Sequence, residues 1–247
     1  MKRADTCLQL DVGNSSAKWR LVTHGRATAT GKYLAGDEAS RQLLFDCAAQ
    51  VGQIWISSVA APAAEAELAA MVRNHWGVEP WFARTQARSG NLVNSYDDPG
   101  RMGVDRWLVM LAASQRISGR ACVVDAGSAL TIDIVDASGR HEGGYIIPGP
   151  ALMERALLLD TDRVRFEEEV DYDLTPGLST AGAVRHGIAL AQAGAVALAV
   201  DRYGNEPMEL LFCGGGGEPL LQLVGRGGSY APDLVFDGLE LMAALEP

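Results

Sequence analysis

The chain has 247 residues, 48% of them hydrophobic and 21% charged, which is an ordinary globular balance and enough for one large domain or two moderate ones. Its net charge of −10 argues against nucleic-acid binding through a basic face. The four cysteines lack zinc or redox spacing, so we expect buried thiols in a reducing compartment. The longest near-apolar run, residues 187–200, is too short to span a bilayer, and no signal-peptide core follows the first residues. We therefore expect a cytoplasmic protein with no nucleic-acid partner and no membrane attachment.

The first half of the chain predicts a mixed sheet with helices on its faces. Predicted strands cover residues 7–12, 18–23, 25–34, 53–59 and 79–83. Predicted helices cover residues 37–51, 63–76 and 105–119. Strands followed by alternating strands and helices are typical of such a sheet.

Residues 84–104 interrupt this pattern with a segment rich in glycine, asparagine, serine and charge. A loop of this length inside a compact domain indicates a functional or a disordered segment. It leads into a helix that begins with Asp105 and Arg106. An acidic residue at a helix start needs no functional explanation, but a cation there opposes the helix dipole. An anionic ligand near Arg106 would offset that repulsion.

The helix ends near Gly119, which we take as the boundary between a lobe of residues 1–118 and a lobe of residues 119–247. In the second lobe, strand-like runs at 121–124 and 132–135 form another hairpin, and a glycine-containing segment follows at 141–149. Helices are predicted for residues 150–160 and 181–203, and the second of these is apolar nearly all round, which predicts burial in the core or at a subunit interface. A strand at 208–213, a helix from 218, a strand at 233–237 and a terminal helix complete the lobe.

The two hairpins share an Asp-x-Gly turn, at residues 11–13 and 125–127, each preceded by an apolar strand and accompanied by hydroxyl side chains. One such turn would be weak evidence, because aspartate and glycine favour turns for conformational reasons. Two of them, each opening about half of the chain, indicate a duplicated domain. Carboxylates and the hydroxyls of Ser128 and Thr131 are the groups needed to hold a phosphate tail and its metal ion.

Four consecutive glycines, residues 214–217, join the predicted strand at 208–213 to the following helix. A joint of this kind is a usual place for a nucleotide to lie on backbone amides. No Gly-Lys-Ser/Thr follows, so it is not a Walker A loop. The sequence leaves a nucleotide contact and a flexible loop as equal alternatives.

These motifs resemble the actin/hexokinase/Hsp70 superfamily of ATP-using proteins, and the chain resembles, over almost its full length, the type III pantothenate kinases. The matching segments are residues 11–15 with Lys18, 99–106, 125–133, 143–149, and Thr180 with Gly187. The element Gly103-Val104-Asp105-Arg106 is the specific one. Ser15 and Ser128 stand where threonine is common, so the hydroxyls are kept.

The resemblance implies an α/β fold of two tandem RNase H-like, actin-like ATPase lobes, each a mixed five-stranded sheet with flanking helices, with the nucleotide in the cleft between them. It implies a homodimeric enzyme that transfers the γ-phosphate of ATP to pantothenate, giving 4′-phosphopantothenate in the first step of coenzyme A biosynthesis. It also implies a need for Mg²⁺ and for a monovalent cation, K⁺ or NH₄⁺. The alternative is a non-catalytic regulatory protein on the same scaffold. The intact set of Asp11, Asp105 and Asp125 favours the kinase.

The resemblance also implies roles for individual residues. ATP would be bound by Asp11, Val12, Gly13, Asn14, Ser15, Ser16, Ala17 and Lys18, with Ser128 as a further contact. Pantothenate would be bound by Tyr96, Gly103, Val104, Asp105, Arg106 and Thr180, with Asp105 as the proton acceptor. Asp125 would hold the monovalent cation, and Asp11 would hold Mg²⁺ directly or through water.

Overall fold

The computed structural model describes residues 4–13, 16–161, 163–203 and 206–245. The chain divides into two compact units, Met1–Ala112 with Leu234–Pro247, and Ala113–Asp233. The boundary lies close to the one expected at 118/119. The division differs from the expected one in its last helix, which belongs to the first unit and not to the second.

In the part of the first half that the structure describes there are seven strands and three helices; five strands and the helices follow the predicted order, and two short strands lie in the segment predicted as a loop. The strands are β1 Thr6–Val12, β2 Ala17–Thr23, β3 Arg26–Tyr33, β4 Gln53–Ser58, β5 Trp81–Phe82, β6 Arg88–Ser89 and β7 Leu92–Val93. The helices are α1 Glu38–Phe45, α2 Pro62–Trp76 and α3 Val104–Arg116, with a 3₁₀ turn at Pro99–Arg101. Helix α1 is shorter than the predicted 37–51, and its N-cap is Asp37, whose side chain accepts from the Ser40 N–H.

The second half contains five strands and four helices within residues 120–161, 163–203 and 206–245. The strands are β8 Arg120–Ala126, β9 Ala129–Val135, β10 His141–Pro148, β11 Met208–Cys213 and β12 Ser229–Tyr230. The helices are α4 Pro150–Asp160, α5 Thr180–Arg202, α6 Gly217–Val224 and α7 Leu234–Leu245. The strand predicted at 233–237 is wrong, because these residues fall at the start of α7. Leu234, Leu239 and Met242 are buried at helical spacing, and this longer pattern outweighs the short apolar run.

The two large sheets have the same topology, which confirms the predicted duplication and the pair of mixed five-stranded sheets. Their strand orders are β3-β2-β1-β4-β5 and β10-β9-β8-β11-β12. In each sheet the first two pairings along this order are antiparallel and the last two are parallel. The strand that ends in Asp-x-Gly, β1 or β8, is therefore central in its sheet.

Each sheet buries one face in an apolar core of its own unit. Leu8 and Leu10 of β1 pack in the first core, and Cys122 and Val124 of β8 pack in the second. None of the four cysteines forms a disulfide; three are buried and Cys47 is half-buried. Burial, with Asp133 nearby, raises the pKa of the Cys122 thiol to about 12. Three of the four cysteines are thus buried thiols, as the sequence predicts, whereas Cys47 is partly exposed.

Helix α5 is buried on one side in the core of the second unit, which is the first of the two expected environments, and its other side is exposed in the single chain. Ala193, Val196 and Ala199 pack in the core of the second unit, and Gln192 Nε2 donates to the Pro148 carbonyl at 3.2 Å. The helix is long and apolar enough to cross a membrane by length and composition alone, with 33% of its most apolar window buried. The apolar run at residues 187–200 is thus part of a 23-residue helix, which is longer than the run alone.

A polar cluster on the opposite face of the first sheet holds α7 in place. The Arg20 guanidinium donates from Nε to Gln9 Oε1 at 2.8 Å and from Nη2 to Glu240 Oε1 at 3.2 Å. Gln9 Nε2 also donates to Glu240 Oε1 at 2.9 Å, and Arg20 lies over the Phe236 ring at 4.9 Å. Gln9 is fully buried, so this cluster must be satisfied internally. The cluster thus attaches helix α7 to the sheet of the first unit.

Replacing Arg20 with leucine should lower the free energy of unfolding by about 2–3 kcal/mol, because buried Gln9 and the α7 carboxylates of Asp237 and Glu240 each lose one partner. Urea denaturation measures the change. The matched control is Arg26→Leu on the exposed part of β3, which should change stability by less than about 0.5 kcal/mol. Equal stability of the two variants would show that the cluster does not anchor α7.

Candidate active site

The first group of predicted site residues surrounds the end of β1. Asp11 lies directly opposite Lys18 of β2 and beside Ser57 of β4, so the three side chains project from one face of the sheet. The Ser57 hydroxyl donates to Asp11 Oδ1 at 3.1 Å. Asp11 and Lys18 are both half-buried. A carboxylate and an ammonium group are thus held next to each other at the edge of a rigid strand pair.

The turn after Asp11 is closed by the main chain. The Gly13 N–H donates to the Ser16 carbonyl at 3.0 Å, and Val12 is paired with Ala17. Gly13 is exposed and Ser16 is half-buried. Asn14 and Ser15, two of the predicted ATP contacts, lie outside the described residues.

The segment of residues 84–104 is tied down by hydrogen bonds along its length. The Thr85 hydroxyl donates to the Met102 carbonyl at 2.9 Å, and Trp107 Nε1 donates to the Ser89 hydroxyl at 3.1 Å. The structure therefore shows an ordered segment and not a disordered one.

The ordered loop brings Tyr96 to the start of α3. Arg106 Nη1 donates to the Tyr96 hydroxyl at 2.9 Å, and the Arg106 side chain is only 4% exposed in total. Asp105, in the first turn of α3, accepts the Arg106 N–H on Oδ1 at 2.8 Å. A Cβ added to Gly103 would lie 2.5 Å from Asp105 Oδ1. Tyr96, Gly103, Asp105 and Arg106 therefore form one compact group, with buried Val104 beginning the helix.

The second unit holds Asp125 near the end of β8, where the glycine run of residues 214–217 packs against it. Gly214 has a φ of +78°, and a Cβ there would collide with Asp125 Oδ1 and the Ala126 carbonyl. The Gly216 N–H donates to the Ala126 carbonyl at 2.9 Å, and the Tyr230 hydroxyl donates to the Gly214 carbonyl at 3.1 Å. The glycines thus form a defined turn around the aspartate.

Ser128 lies in the exposed turn between β8 and β9. The Gly149 N–H donates to its carbonyl at 3.0 Å, and a Cβ at Gly149 would come within 2.7 Å of the carbonyls of Gly127 and Ser128. The segment that begins α4 therefore packs directly on the Asp-x-Gly turn.

Thr180 is the first residue of α5, and the N-cap is Ser179, whose hydroxyl accepts from the Gly182 N–H at 3.1 Å. Thr180 is exposed and lines one end of an apolar groove of about 720 Å³ between α4 and α5. Thr180 is therefore not the N-cap of α5, and helix capping does not explain a threonine at this position.

Comparison with known proteins decides the family. A model of the type III pantothenate kinase family matches residues 7–202. The type III pantothenate kinase of Hahella chejuensis is 36% identical over 240 residues, which is 97% of this chain and 98% of that protein. That of Marinobacter nauticus is 36% identical over 242 residues, 96% of this chain and 98% of that protein.

The chain belongs to the type III pantothenate kinase family. This confirms the resemblance drawn from the sequence motifs and, with it, the prediction of an ATP-dependent pantothenate kinase. The specific element, residues 103–106, and both Asp-x-Gly turns lie inside the segment that the family model matches.

Solved structures confirm the expected fold. A Campylobacter jejuni protein assigned to the Baf family of transcriptional activators aligns with a TM-score of 0.59 at 23% identity, covering 96% of this chain and 97% of its own. The ethanolamine utilization protein EutJ from Carboxydothermus hydrogenoformans aligns with a TM-score of 0.52 at 13% identity, covering 99% and 91%. At these identities the likeness is one of fold alone, so the first of them does not favour the regulatory alternative.

Sequence reasoning missed three neighbours of the predicted site. Ser57 bonds to Asp11, Gly214 encloses Asp125, and Gly149 packs on the turn that carries Ser128. A signal existed for Ser57, because a serine pair ends an otherwise buried, apolar strand. The contacts of Gly214 and Gly149 depend on pairings between distant segments, which local patterns do not reveal.

Replacing Gly103 with alanine should lower kcat about 10–100-fold, because the new Cβ forces the Asp105 carboxylate away from its position and small misplacements are costly in catalysis. The matched control is Gly100→Ala in the same loop. A Cβ there meets only Asp98 Oδ1, at an ordinary 3.5 Å, and activity should stay within about twofold of the wild type. Full activity of the Gly103 variant would contradict the close packing of these two residues.

Proposed function

We propose that this chain transfers the γ-phosphate of ATP to the primary hydroxyl of pantothenate, with Asp105 as the general base. The observation that carries the proposal is the group formed by Tyr96, Gly103, Asp105 and Arg106 within the segment most specific to the family. Phosphoryl transfer depends mainly on positioning and on charge stabilisation, and this group provides a held carboxylate beside a held cation.

The position of Asp105 suits a base. Its Oδ1 accepts the neighbouring backbone N–H, which fixes the carboxylate at the start of α3. The side chain is half-buried, so the carboxylate is accessible to a substrate hydroxyl. A base must come within about 2.6–3.2 Å of the proton that it removes. Asp105 would accept the proton of the pantothenate hydroxyl as the phosphoryl group is transferred.

Arg106 would bind the carboxylate of pantothenate. Its guanidinium is oriented by the Tyr96 hydroxyl, and its burial strengthens any charge interaction that it makes. The planar guanidinium matches the geometry of a carboxylate and can bind it through two parallel hydrogen bonds, and the negative charge of the substrate would also be favourable at the first turn of a helix. Tyr96, Gly103 and Val104 would complete the contact from the same loop, and Thr180 would be a further pantothenate contact.

The end of β1 would bind the phosphates of ATP. Lys18 would neutralise a phosphate as a point charge. Asp11 with the Ser57 hydroxyl fits Mg²⁺, which takes oxygen ligands and keeps several waters, so that one or two carboxylates suffice. The bound metal ion would neutralise charge on the phosphate oxygens. The main chain of residues 12–17 would line the phosphate path, and Ser128 would be a further ATP contact.

Asp125 would hold the monovalent cation, K⁺ or NH₄⁺. Its carboxylate is half-buried in a turn enclosed by Gly214 and Ala126. Among the described residues no group of three or more His, Cys, Asp or Glu side chains could hold a metal ion. A single carboxylate with neutral oxygens suits a singly charged ion better than a divalent one, which needs more negative ligands.

We further infer a cytoplasmic homodimer in which the outer face of α5 meets its counterpart on a second copy. The exposed residues on this face are small or apolar: Ala183, Gly187, Leu190, Ala191, Gly194 and Leu198. Leu190 and Leu198 are 61% and 63% exposed, which is unfavourable for a contiguous apolar face in water. Pairing with a second copy would cover it.

Introducing a charge into this face by Leu190→Glu should convert the dimer to a monomer, because an unpaired carboxylate is costly in an apolar interface. Sedimentation velocity measures the mass. Leu43→Glu is the matched control, since Leu43 is equally exposed, at 65%, but lies on α1. A monomeric wild type, or a Leu190→Glu variant that stays dimeric, would contradict the proposed interface.

The activity is tested by ADP release from MgATP in KCl, with and without pantothenate. The wild type should release ADP only when pantothenate is present. Asp105→Asn should lower kcat by about 10²–10⁴-fold, the usual effect of losing a general base, while ATP binding is kept. The control variant Asp97→Asn changes an exposed carboxylate of the same loop and should behave as the wild type. Release that ignores pantothenate would reject the substrate, and a fully active Asp105→Asn would reject the base.

A further inference from the structure

We propose that Thr131 supplies a hydroxyl oxygen to the monovalent cation at Asp125. The inference rests on the proposed cation site and adds to it a residue to which the family resemblance gives no role. It is carried by strand register, by burial and by a hydroxyl that has no hydrogen-bond partner among the residues that the structure describes.

The register of the β8–β9 hairpin places Thr131 directly across from Asp125. Residues opposite each other in an antiparallel pair project from the same face, with Cβ atoms about 4.5–5.5 Å apart. The flanking residues Leu130 and Ile132 point the other way, into the apolar core of the second unit. The Thr131 side chain therefore stands on the face of the sheet that carries the Asp125 carboxylate.

The Thr131 hydroxyl is buried and unsatisfied. The residue is 8% exposed, and among the described residues its Oγ1 atom has no hydrogen-bond partner. Buried hydroxyls in folded proteins almost always have a partner, because an unpaired one loses its hydration without compensation. Two residues further along the same face, Asp133 is fully buried but is paired with His141 Nε2 at 3.0 Å. The unsatisfied Thr131 hydroxyl thus differs from the paired Asp133 on the same strand, and it indicates a binding position for a ligand.

A monovalent cation fits this position. A hydroxyl oxygen has two lone pairs and can coordinate a cation without adding negative charge. Together with one carboxylate it gives a donor set of low charge, which matches a singly charged ion. On the other side of Asp125, Gly214 leaves no room for a side chain, so the backbone itself closes the position. The cation would be held between the carboxylate and the Thr131 hydroxyl.

The test compares Thr131→Val, which removes the hydroxyl and keeps the β-branched shape, with Thr131→Ser, which keeps the hydroxyl. Cation binding is followed as the rise of the thermal unfolding midpoint with KCl, at an ionic strength held constant with choline chloride. Thr131→Val should need about tenfold more K⁺ for half of the effect, the scale of one lost contact to a charged group, and Thr131→Ser less than about threefold more. In choline chloride alone Thr131→Val should melt no lower than the wild type, because the hydroxyl has no partner within the part of the chain that the structure describes.

Two further variants separate the possible outcomes. Asp125→Asn should abolish the K⁺ response, and Thr30→Val, at an exposed threonine of β3, should leave it unchanged. A wild-type K⁺ response in Thr131→Val, with the response lost in Asp125→Asn, would overturn the role of Thr131 and leave the cation site standing. That result would mean that the hydroxyl binds an ordered water. A wild type without any K⁺ response would overturn both, whereas pantothenate-dependent ADP release would still support the kinase.

Discussion

Both units depend on one constraint, the antiparallel pairing between the strand that ends in Asp-x-Gly and the strand that follows it. In each sheet this strand is also paired on its other edge with a parallel strand, so the aspartate has a neighbour on either side. Asp11 stands between Lys18 and Ser57, and Asp125 stands between Thr131 and Cys213. The backbone register sets these positions before any ligand binds.

In the function that we propose, the same backbone arrangement would serve two different ion sites. The first has an ammonium group across from the carboxylate, which suits the phosphates of a nucleotide and their divalent metal ion. The second has only neutral side chains across from the carboxylate, which suits a singly charged cation. The duplicated sheet topology places each aspartate in the same way, and the side chains opposite it would decide which ion each position favours. The proposed pantothenate-binding group at residues 96–106 does not follow from the duplication, because a long loop and the start of α3 build it.

Much of this could be predicted from the sequence, because its signals are local. Apolar strands, Asp-x-Gly turns and helical periodicity gave most elements, and the repeat gave the duplication. Nonlocal pairing could not be predicted in this way. The packing of α7 in the first unit depends on Arg20 and Glu240, which are far apart in sequence. The strand predicted at 233–237 was wrong because its short apolar pattern fits a helix as well as a strand. The unsatisfied hydroxyl of Thr131 becomes visible only when the sheet is assembled.

Identification of the reaction product tests the central claim most directly. The purified chain is incubated with MgATP, KCl and pantothenate, and the phosphorus-containing products are resolved by ³¹P NMR and mass spectrometry. The account predicts one new phosphomonoester, on the primary hydroxyl of pantothenate, formed in equal amount to ADP. Inorganic phosphate as the only product beside ADP would show hydrolysis in place of transfer and would contradict the assignment of Asp105 as the base for a bound alcohol.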